Sequence, residues 1–244
     1  MTTPILSMER SPEPELMEAT SHAAAYAAAD FSSSDASFVD RLASLTREYD
    51  LSPTPCNLLV DLGCGPGKVT EQLARRWSNW TVLGIDGSTA MLNLAVERRD
   101  NSRDSLLHNL HYCKLDLTRL GNQASNFYRQ ARIIVSNSLL HHLHMPSVLW
   151  RVVEHLAVPG ALTLHRDLRR PPNSEAALDL VRRYAESASA TVRHDYLASL
   201  HAAFTTAEVQ SQLLHHPLLS VSVAPVADRY LEVSGYVEPG RLPG

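Results

Sequence analysis

Residues 58–67, Leu-Leu-Val-Asp-Leu-Gly-Cys-Gly-Pro-Gly, restrict the fold more than any other part of the chain. The apolar run from Leu58 to Asp61 reads as a buried strand, and Gly63, Gly65 and Gly67 form a turn that lets backbone approach a ligand closely. From Lys68 to Trp77, Val69, Leu73 and Trp77 recur at helical spacing, so the first amides of a helix face that turn. A strand, a glycine turn and a helix in this order describe a nucleotide-type site. Two acids define it further: Asp61 stands two residues before the first glycine, and Asp86 ends the next apolar run, Trp80 to Ile85. An acid at that second place accepts hydrogen bonds from both ribose hydroxyls.

A nicotinamide or flavin site also has a glycine turn after the first strand and an acid after the second. Its fingerprint is Gly-x-Gly-x-x-Gly without an acid two residues ahead, whereas here the third glycine is Gly67 and position 68 is lysine. A negative Asp61 suits a ligand bearing an ammonium and a sulfonium better than a pyrophosphate. In this combination the residues resemble the class I S-adenosylmethionine (SAM) dependent methyltransferases. The resemblance implies that Asp61 helps hold the amino acid end of SAM, and that Gly63, Cys64, Gly65 and Gly67 pass beneath its ribose and methionine portion. It likewise assigns the ribose to Asp86 with Gly87, the adenine amino group to Asp116 beside Leu115, and the packing on adenine to Met91. The fourth strand matches at Ile133-Ile134-Val135-Ser136-Asn137, whose Ser136 and Asn137 complete the expected cofactor contacts.

The implied fold is α/β: a Rossmann-like seven-stranded sheet, mostly parallel with an antiparallel last strand and helices on both faces. Strand-helix alternation supports a parallel sheet independently, since Asn109–Lys114, Ala131–Ser136 and Ala161–His165 read as further strands. Val148, Leu149, Val152, Val153 and Leu156, with Met145, form a helical stripe that Pro159-Gly160 stops. Gly121 to Gln130 is ambiguous and reads at most as a short helix. Residues 1–50 are expected to be an N-terminal helical cap, with one helix beginning at Ser11-Pro12-Glu13 and a second capped by Ser34 or Asp35. Residues 51–244 form the SAM-binding domain in one structural unit with the cap. Within it, 173–217 is a helical insertion, started by Asn173 and containing a Thr205-to-Glu208 capping box. Leu219–Val223 and Arg229–Val233 close the chain as a hairpin.

Methyl transfer is an in-line displacement in which positioning and desolvation dominate, and a general base is needed only for a protonated acceptor. His141 and His142, just after the fourth strand, are the candidate bases, although a structural or shape-filling role is the plainer reading. Met17, Tyr26 and Phe31 from the cap, and Tyr196 from the insertion, are candidate acceptor contacts, with core packing as the plainer alternative for the aromatics. His165, Arg166 and Arg170 follow the fifth strand. There the arginines either clamp an anionic acceptor or pair with nearby acids such as Asp167.

No metal is expected, because no carboxylate flanks His141, His142 and His144 in sequence, and Asn137 stands where metal-using members of the family carry acids. The Ser136-Asn137-Ser138-Leu139 sequence also departs from the Asn/Asp-Pro-Pro-Tyr pattern of base and amide N-methyltransferases. The formal charge of -4 and the lack of a basic block argue against nucleic acid. Three scattered cysteines, no run of apolar residues long enough to span a membrane and no signal-type N-terminus lead to the expectation of a cytoplasmic protein. The expectation is an O-methyltransferase of specialised metabolism with a small polar acceptor (phenol, hydroxyl or carboxylate), monomeric or homodimeric. An RNA-modifying enzyme, a SAM user transferring another group, and a SAM-binding regulator remain open. The motifs Glu13-Pro14-Glu15-Leu16-Met17, Ala25 to Phe31 and Ser199 to Thr205 are similar to a bacterial methyltransferase subgroup.

Overall fold

A computed structural model of the 244-residue chain describes residues 8–51, 57–102, 107–119 and 128–239. Seven strands form one sheet: β1 (Leu58–Leu62), β2 (Thr81–Asp86), β3 (Leu110–Lys114), β4 (Ala131–Asn137), β5 (Ala157–Leu168), β6 (Leu219–Val226) and β7 (Tyr230–Val237). Their order is β3-β2-β1-β4-β5-β7-β6, parallel throughout except for β7, which runs antiparallel to both neighbours. The chain leaves β1 for β2 on one side and reaches β4 on the other. A crevice therefore opens beyond the C-terminal ends of β1 and β4.

Period-two alternation gives the sheet two apolar faces. Val60, Leu62, Ile85 and Ile134 pack with Leu149, Trp150 and Val153 of helix α5 (Ser147–Leu156). Their strand neighbours Leu59, Val82, Ile133 and Val135 pack instead with Phe38, Leu42 and Leu45 of α2 (Ser32–Glu48) and Leu73 of α3 (Lys68–Arg76). Helices α1 (Thr20–Ala28) and α4 (Thr89–Asn101) complete the front of the chain. The insertion supplies α6 (Ser174–Ala185), α7 (Ala190–Ala202) and α8 (Thr206–Leu213). A separate cluster of Leu168, Leu180, Leu200 and Ala203 holds it against the end of β5. Among the described residues no helix is long and apolar enough to cross a membrane.

Local chemistry sets several boundaries. Asn173 caps α6 by accepting from Ala176 N, and Thr205 with Glu208 forms the full capping box of α8. Other expectations are corrected. No helix begins at Ser11: residues 8–19 are a non-helical strap, and α1 starts at Thr20. Pro12 and Pro14 lack amide donors, while Met8 N and Ser11 N bond the distant carbonyls of Pro172 and His201. The N-cap of α2 is Phe31, not Ser34 or Asp35, and Asp35 is buried in the first turn. Pro159-Gly160 do not follow the helix but lie inside β5, at the register shift between Ala131 and Ile133. β5 consequently runs on through Arg166 and Asp167. Met145 precedes α5 and is exposed. The ambiguous segment 121–130 lies outside the described residues as far as position 127.

Candidate active site

The glycine turn after β1 is left-handed at Gly63 (φ 65°), Gly65 (φ 52°) and Gly67 (φ 80°), a conformation that β-carbons oppose. The turn carries Gly65 N–H to Asp86 Oδ2 at 2.8 Å, and Ser88 N–H donates to Asp86 Oδ1 at 2.8 Å. A carboxylate has about four acceptor positions, so these bonds fix its orientation and leave acceptor capacity toward the cleft. Asp61 is buried, and Thr70 Oγ1 donates to its Oδ2 at 2.7 Å. Burial foremost, with the Asp86 and Asp35 charges adding, lifts the Asp61 pKa to about 7 despite the Thr70 bond.

Asp61, Gly63, Cys64, Gly65, Asp86, Gly87, Met91, Asp116 and Asn137 all line a cleft of about 140 Å³. Three expected cofactor contacts do not line it. Leu115 is core, its amide bonded to Asp86 O, and Leu117 and Thr118 reach the cleft instead. Ser136 is buried under the sheet and bonds His165 Nδ1 at 2.8 Å. Gly67 lies behind the turn, where an added Cβ would stand 2.2 Å from the Tyr112 hydroxyl. At Gly65, by contrast, an added Cβ meets nothing within 4 Å. Gly65→Ala is therefore expected to cost about 1–2 kcal/mol of backbone strain. Because its methyl enters the cleft, ligand affinity should fall tenfold or more, read by calorimetric titration beside a thermal melt.

The strap closes the cleft on its outer side. Leu16 packs where a Cβ on Gly87 would stand 2.7 Å from its Cδ2, and Ser88 Oγ donates to Met17 O at 2.8 Å. Lys68 Nζ donates to Ala29 O at 2.6 Å, holding the α1–α2 junction over the turn. Beyond Met17, Tyr26, Phe31, Asp35, Asn137, Ser138 and His142 the cleft adjoins a second cavity of about 480 Å³, which shares those residues as walls. Tyr184, Tyr196, Arg229 and Tyr230 form its far side. The Arg229 guanidinium lies 3.6 Å from the Tyr184 ring centroid and 4.7 Å from that of Tyr230. The buried Asp35 faces both cavities, and burial first of all pushes its pKa up to about 6.

The polar groups after β4 and in β5 fall on different faces. His165 points under the sheet, between Ser136 Oγ and Thr163 Oγ1 and against Trp150, where burial lowers its pKa to about 3. Arg166 points to the opposite face and is paired with Glu232 at 2.8 Å, not with Asp167. Arg170 bonds Glu208 Oε1 at 2.5 Å and Ala203 O at 2.9 Å. None of the three lines either cavity, so the expected anion clamp is corrected: the two arginines form structural ion pairs and His165 is a buried neutral hydrogen-bonding group. Asp167 instead accepts from Leu140 N (2.6 Å) and Leu168 N (2.8 Å) and meets His141 Nδ1 at 2.6 Å.

His141 and His142 both border the second cavity, their rings 4.2 Å apart. A carboxylate does stand beside them, contrary to the sequence expectation. Glu13 of the strap places Oε1 3.1 Å from His142 Nδ1 and 3.4 Å from His141 Nε2. Burial alone would lower the His141 pKa, but Asp167 and then Glu13 outweigh it and leave it raised. His142 is pushed down to about 3 by burial and by His141. The meeting of Glu13 and Asp167 with His141 was not legible, because these residues lie far apart in the chain, and only the Glu-Pro-Glu motif singled Glu13 out. Asp228-Arg229-Tyr230 was the sequence's pointer to the acceptor rim, and Arg229 and Tyr230 do line the second cavity.

A family model described as a methyltransferase domain matches residues 59–160. Trans-aconitate 2-methyltransferase of Deinococcus radiodurans is 37% identical over 111 residues, covering 45% of this chain and 38% of that protein. The Streptomyces coelicolor protein of the same name is 31% identical over 195 residues, covering 71% and 59%. The Aquifex aeolicus SAM-dependent methyltransferase superimposes over 88% of this chain and 98% of its own with a TM-score of 0.59 at 16% identity. The plantazolicin methyltransferase, in complex with a pentazolic desmethylPZN analogue and S-adenosylhomocysteine, superimposes over 90% of each chain with a TM-score of 0.62 at 15% identity. Residues 59–160 thus carry a methyltransferase domain, in a chain with the fold of the SAM-dependent methyltransferases. The chain covers less than two thirds of the length of these curated relatives.

The cofactor of this methyltransferase family, SAM, fits the residues present. Gly65 leaves its side of the cleft open, Asp86 is pinned with acceptor capacity to spare, and the burial-penalised Asp61 needs a cationic partner to ionise readily. That last feature predicts a pH dependence. Asp61 holds its proton up to about pH 7 in the folded protein. Unfolded, it would lose that proton in the ordinary carboxylate range near pH 4. Its contribution to stability is therefore greatest in acid and declines as pH rises to about 7. A ligand ammonium favours the ionised form. SAM affinity should accordingly fall, by up to about tenfold per pH unit, as pH drops below 7, and Asp61→Asn should flatten the profile in calorimetry at several pH values.

Proposed function

We propose that the protein is a SAM-dependent methyltransferase acting on a small polar acceptor, at oxygen. The observation that carries this reading is the adjacency of the two cavities: the crevice at the ends of β1, β2 and β4, lined by the glycine turn and three acids, shares a wall with a second chamber of ligand size. Bound in the first, SAM supplies an electrophilic methyl group on a sulfonium. Asp61, Asp86 and Asp116, with Gly63, Gly65 and Met91, would hold it. Met17, Tyr26, Phe31 and Tyr196 would position the acceptor and, with the strap, exclude water. His142 borders both cavities, and its depressed pKa keeps it neutral at pH 7, so it meets the acceptor as an uncharged polar wall. His141 would orient it.

Residues up to 50 act in this reading as a cap, and 173–217 as the opposite wall, of one unit whose SAM-binding domain is 51–244. The tyrosines and Arg229 favour a planar acceptor with an anionic or hydroxyl group. The relatives named trans-aconitate 2-methyltransferase, and the ubiquinone biosynthesis O-methyltransferase of Acinetobacter baylyi, which is 28% identical over 116 residues, support a small-molecule acceptor. The free cysteines Cys64 and Cys113 are consistent with a reducing, cytoplasmic setting.

The test is release of S-adenosylhomocysteine with panels of phenols, aliphatic alcohols and carboxylic acids, with total RNA run alongside. Turnover with one of the small-molecule panels and none with RNA is expected. SAM binding without turnover in any panel would leave a regulator as the reading, and RNA turnover an RNA enzyme.

A further inference from the structure

Three electron-pair donors converge at the base of the strap. Glu13 Oε1, His141 Nε2 and His142 Nδ1 belong to a group whose ligand atoms all lie within 4.8 Å of one another. His141 meets Asp167 Oδ1 at 2.6 Å through Nδ1, which aims Nε2 at Glu13, 3.4 Å away. His142 Nδ1 is buried, lies 3.1 Å from the same Glu13 oxygen and makes no hydrogen bond. Glu13 is a carboxylate oriented by Ser199 Oγ, which donates to Oε1 at 3.0 Å. Electron-pair donors this close together are held by a cation between them, a proton or a metal ion.

We infer that Glu13, His141 and His142 form a binding site for a divalent transition-metal ion of the zinc class. Ligand bonds of about 2.0–2.1 Å at a tetrahedral ion put ligand atoms about 3.4 Å apart. The Glu13 contacts, 3.4 Å to His141 and 3.1 Å to His142, match that edge. Two imidazoles and one carboxylate select such an ion over Mg²⁺ or Ca²⁺, which prefer all-oxygen shells. Asp167 is placed as the carboxylate behind a metal-bound histidine, the arrangement that fixes ring orientation and raises ligand basicity. Three protein ligands leave a fourth position, and both histidines border the chamber, so it opens toward an oxygen-bearing molecule there.

The experiment uses the tag-free full chain, stripped with chelator and titrated with Co²⁺ by visible absorption and with Zn²⁺ by calorimetry, in the absence of SAM. One equivalent should bind with micromolar or tighter affinity and give cobalt bands of tetrahedral intensity. Glu13→Gln and His142→Gln should each weaken binding a hundredfold or more, and Asp167→Asn ten- to a hundredfold. SAM binding by Glu13→Gln should be unchanged, which separates failure here from failure of the proposed activity. Wild-type protein without a tetrahedral band, or binding only at millimolar cobalt, overturns the site whether or not the variants fold. So does equal affinity in folded Glu13→Gln, or an NMR signature of His141 as a stable imidazolium with no metal bound.

Discussion

Asp86→Ala is expected to weaken SAM binding by about a hundredfold or more, the largest functional effect of any single side chain in the cleft. Hydrogen bonds to a charged acceptor contribute about 1.5–3 kcal/mol each, so if Asp86 receives both ribose hydroxyls, as proposed, its loss removes about 3 kcal/mol or more. The same change strips Gly65 N–H and Ser88 N–H of their acceptor, loosening the turn beneath the ligand. Asp86→Asn separates the two contributions, because its carbonyl can still receive one of these amides while the charge is gone. It should lose less affinity than alanine and melt closer to the parent. Calorimetry with SAM and S-adenosylhomocysteine reads both. Unchanged affinity in Asp86→Ala would mean that SAM does not lie in this cleft.

Arg166→Ala should be the most destabilising of the charge removals and should leave SAM binding intact. Arg166 and Glu232 are 4% and 5% exposed, and the guanidinium reaches Oε2 through Nη2 at 2.8 Å and Nε at 3.2 Å. Removing one partner of a buried pair costs about 3–5 kcal/mol, because the other is left charged without water. Arg41, which holds Glu232 Oε1 at 2.9 Å, remains and argues for the lower end of that range. At about 3 kcal/mol the melting temperature of a chain this size should drop by roughly 6–12 °C. The paired replacement Arg166→Met with Glu232→Leu should recover most of the loss, as apolar substitutes for buried ion pairs often do. Near-normal melting together with a raised KM for an acceptor would instead restore the anion-clamp role for Arg166.

The outcome at Arg166 bears on what a sequence can reveal. In the chain it sits in a run of polar residues just past the expected strand Ala161–His165, whose start Pro159-Gly160 sets late. In the fold β5 absorbs that pair as a bulge and continues to Leu168, so His165 and Arg166 become opposite faces of one strand. Strand faces alternate, and pairing with β7 on one side and β4 on the other decides what each residue meets. His165 then lies under the sheet with Trp150, and Arg166 meets a glutamate 66 positions away.

By itself the sequence determined the sheet, the glycine turn and the acids at the ends of β1 and β2, because these depend on near neighbours: apolar runs, left-handed glycines and an acid a fixed few residues away. It also determined the caps at Asn173 and Thr205, which are local hydrogen bonds. Tertiary structure alone decided the rest. The prolines of the strap forbid a helix, but only Pro172, His201 and Ser88 say where an extended strap lies, and so bring Leu16 onto the cleft and Glu13 to His141 and His142. No periodicity encodes an encounter between residues 13, 141 and 167. It arises because the strap's polar groups and the buried Asp167 must find partners across the fold, and a buried group without one costs more than an ordered loop.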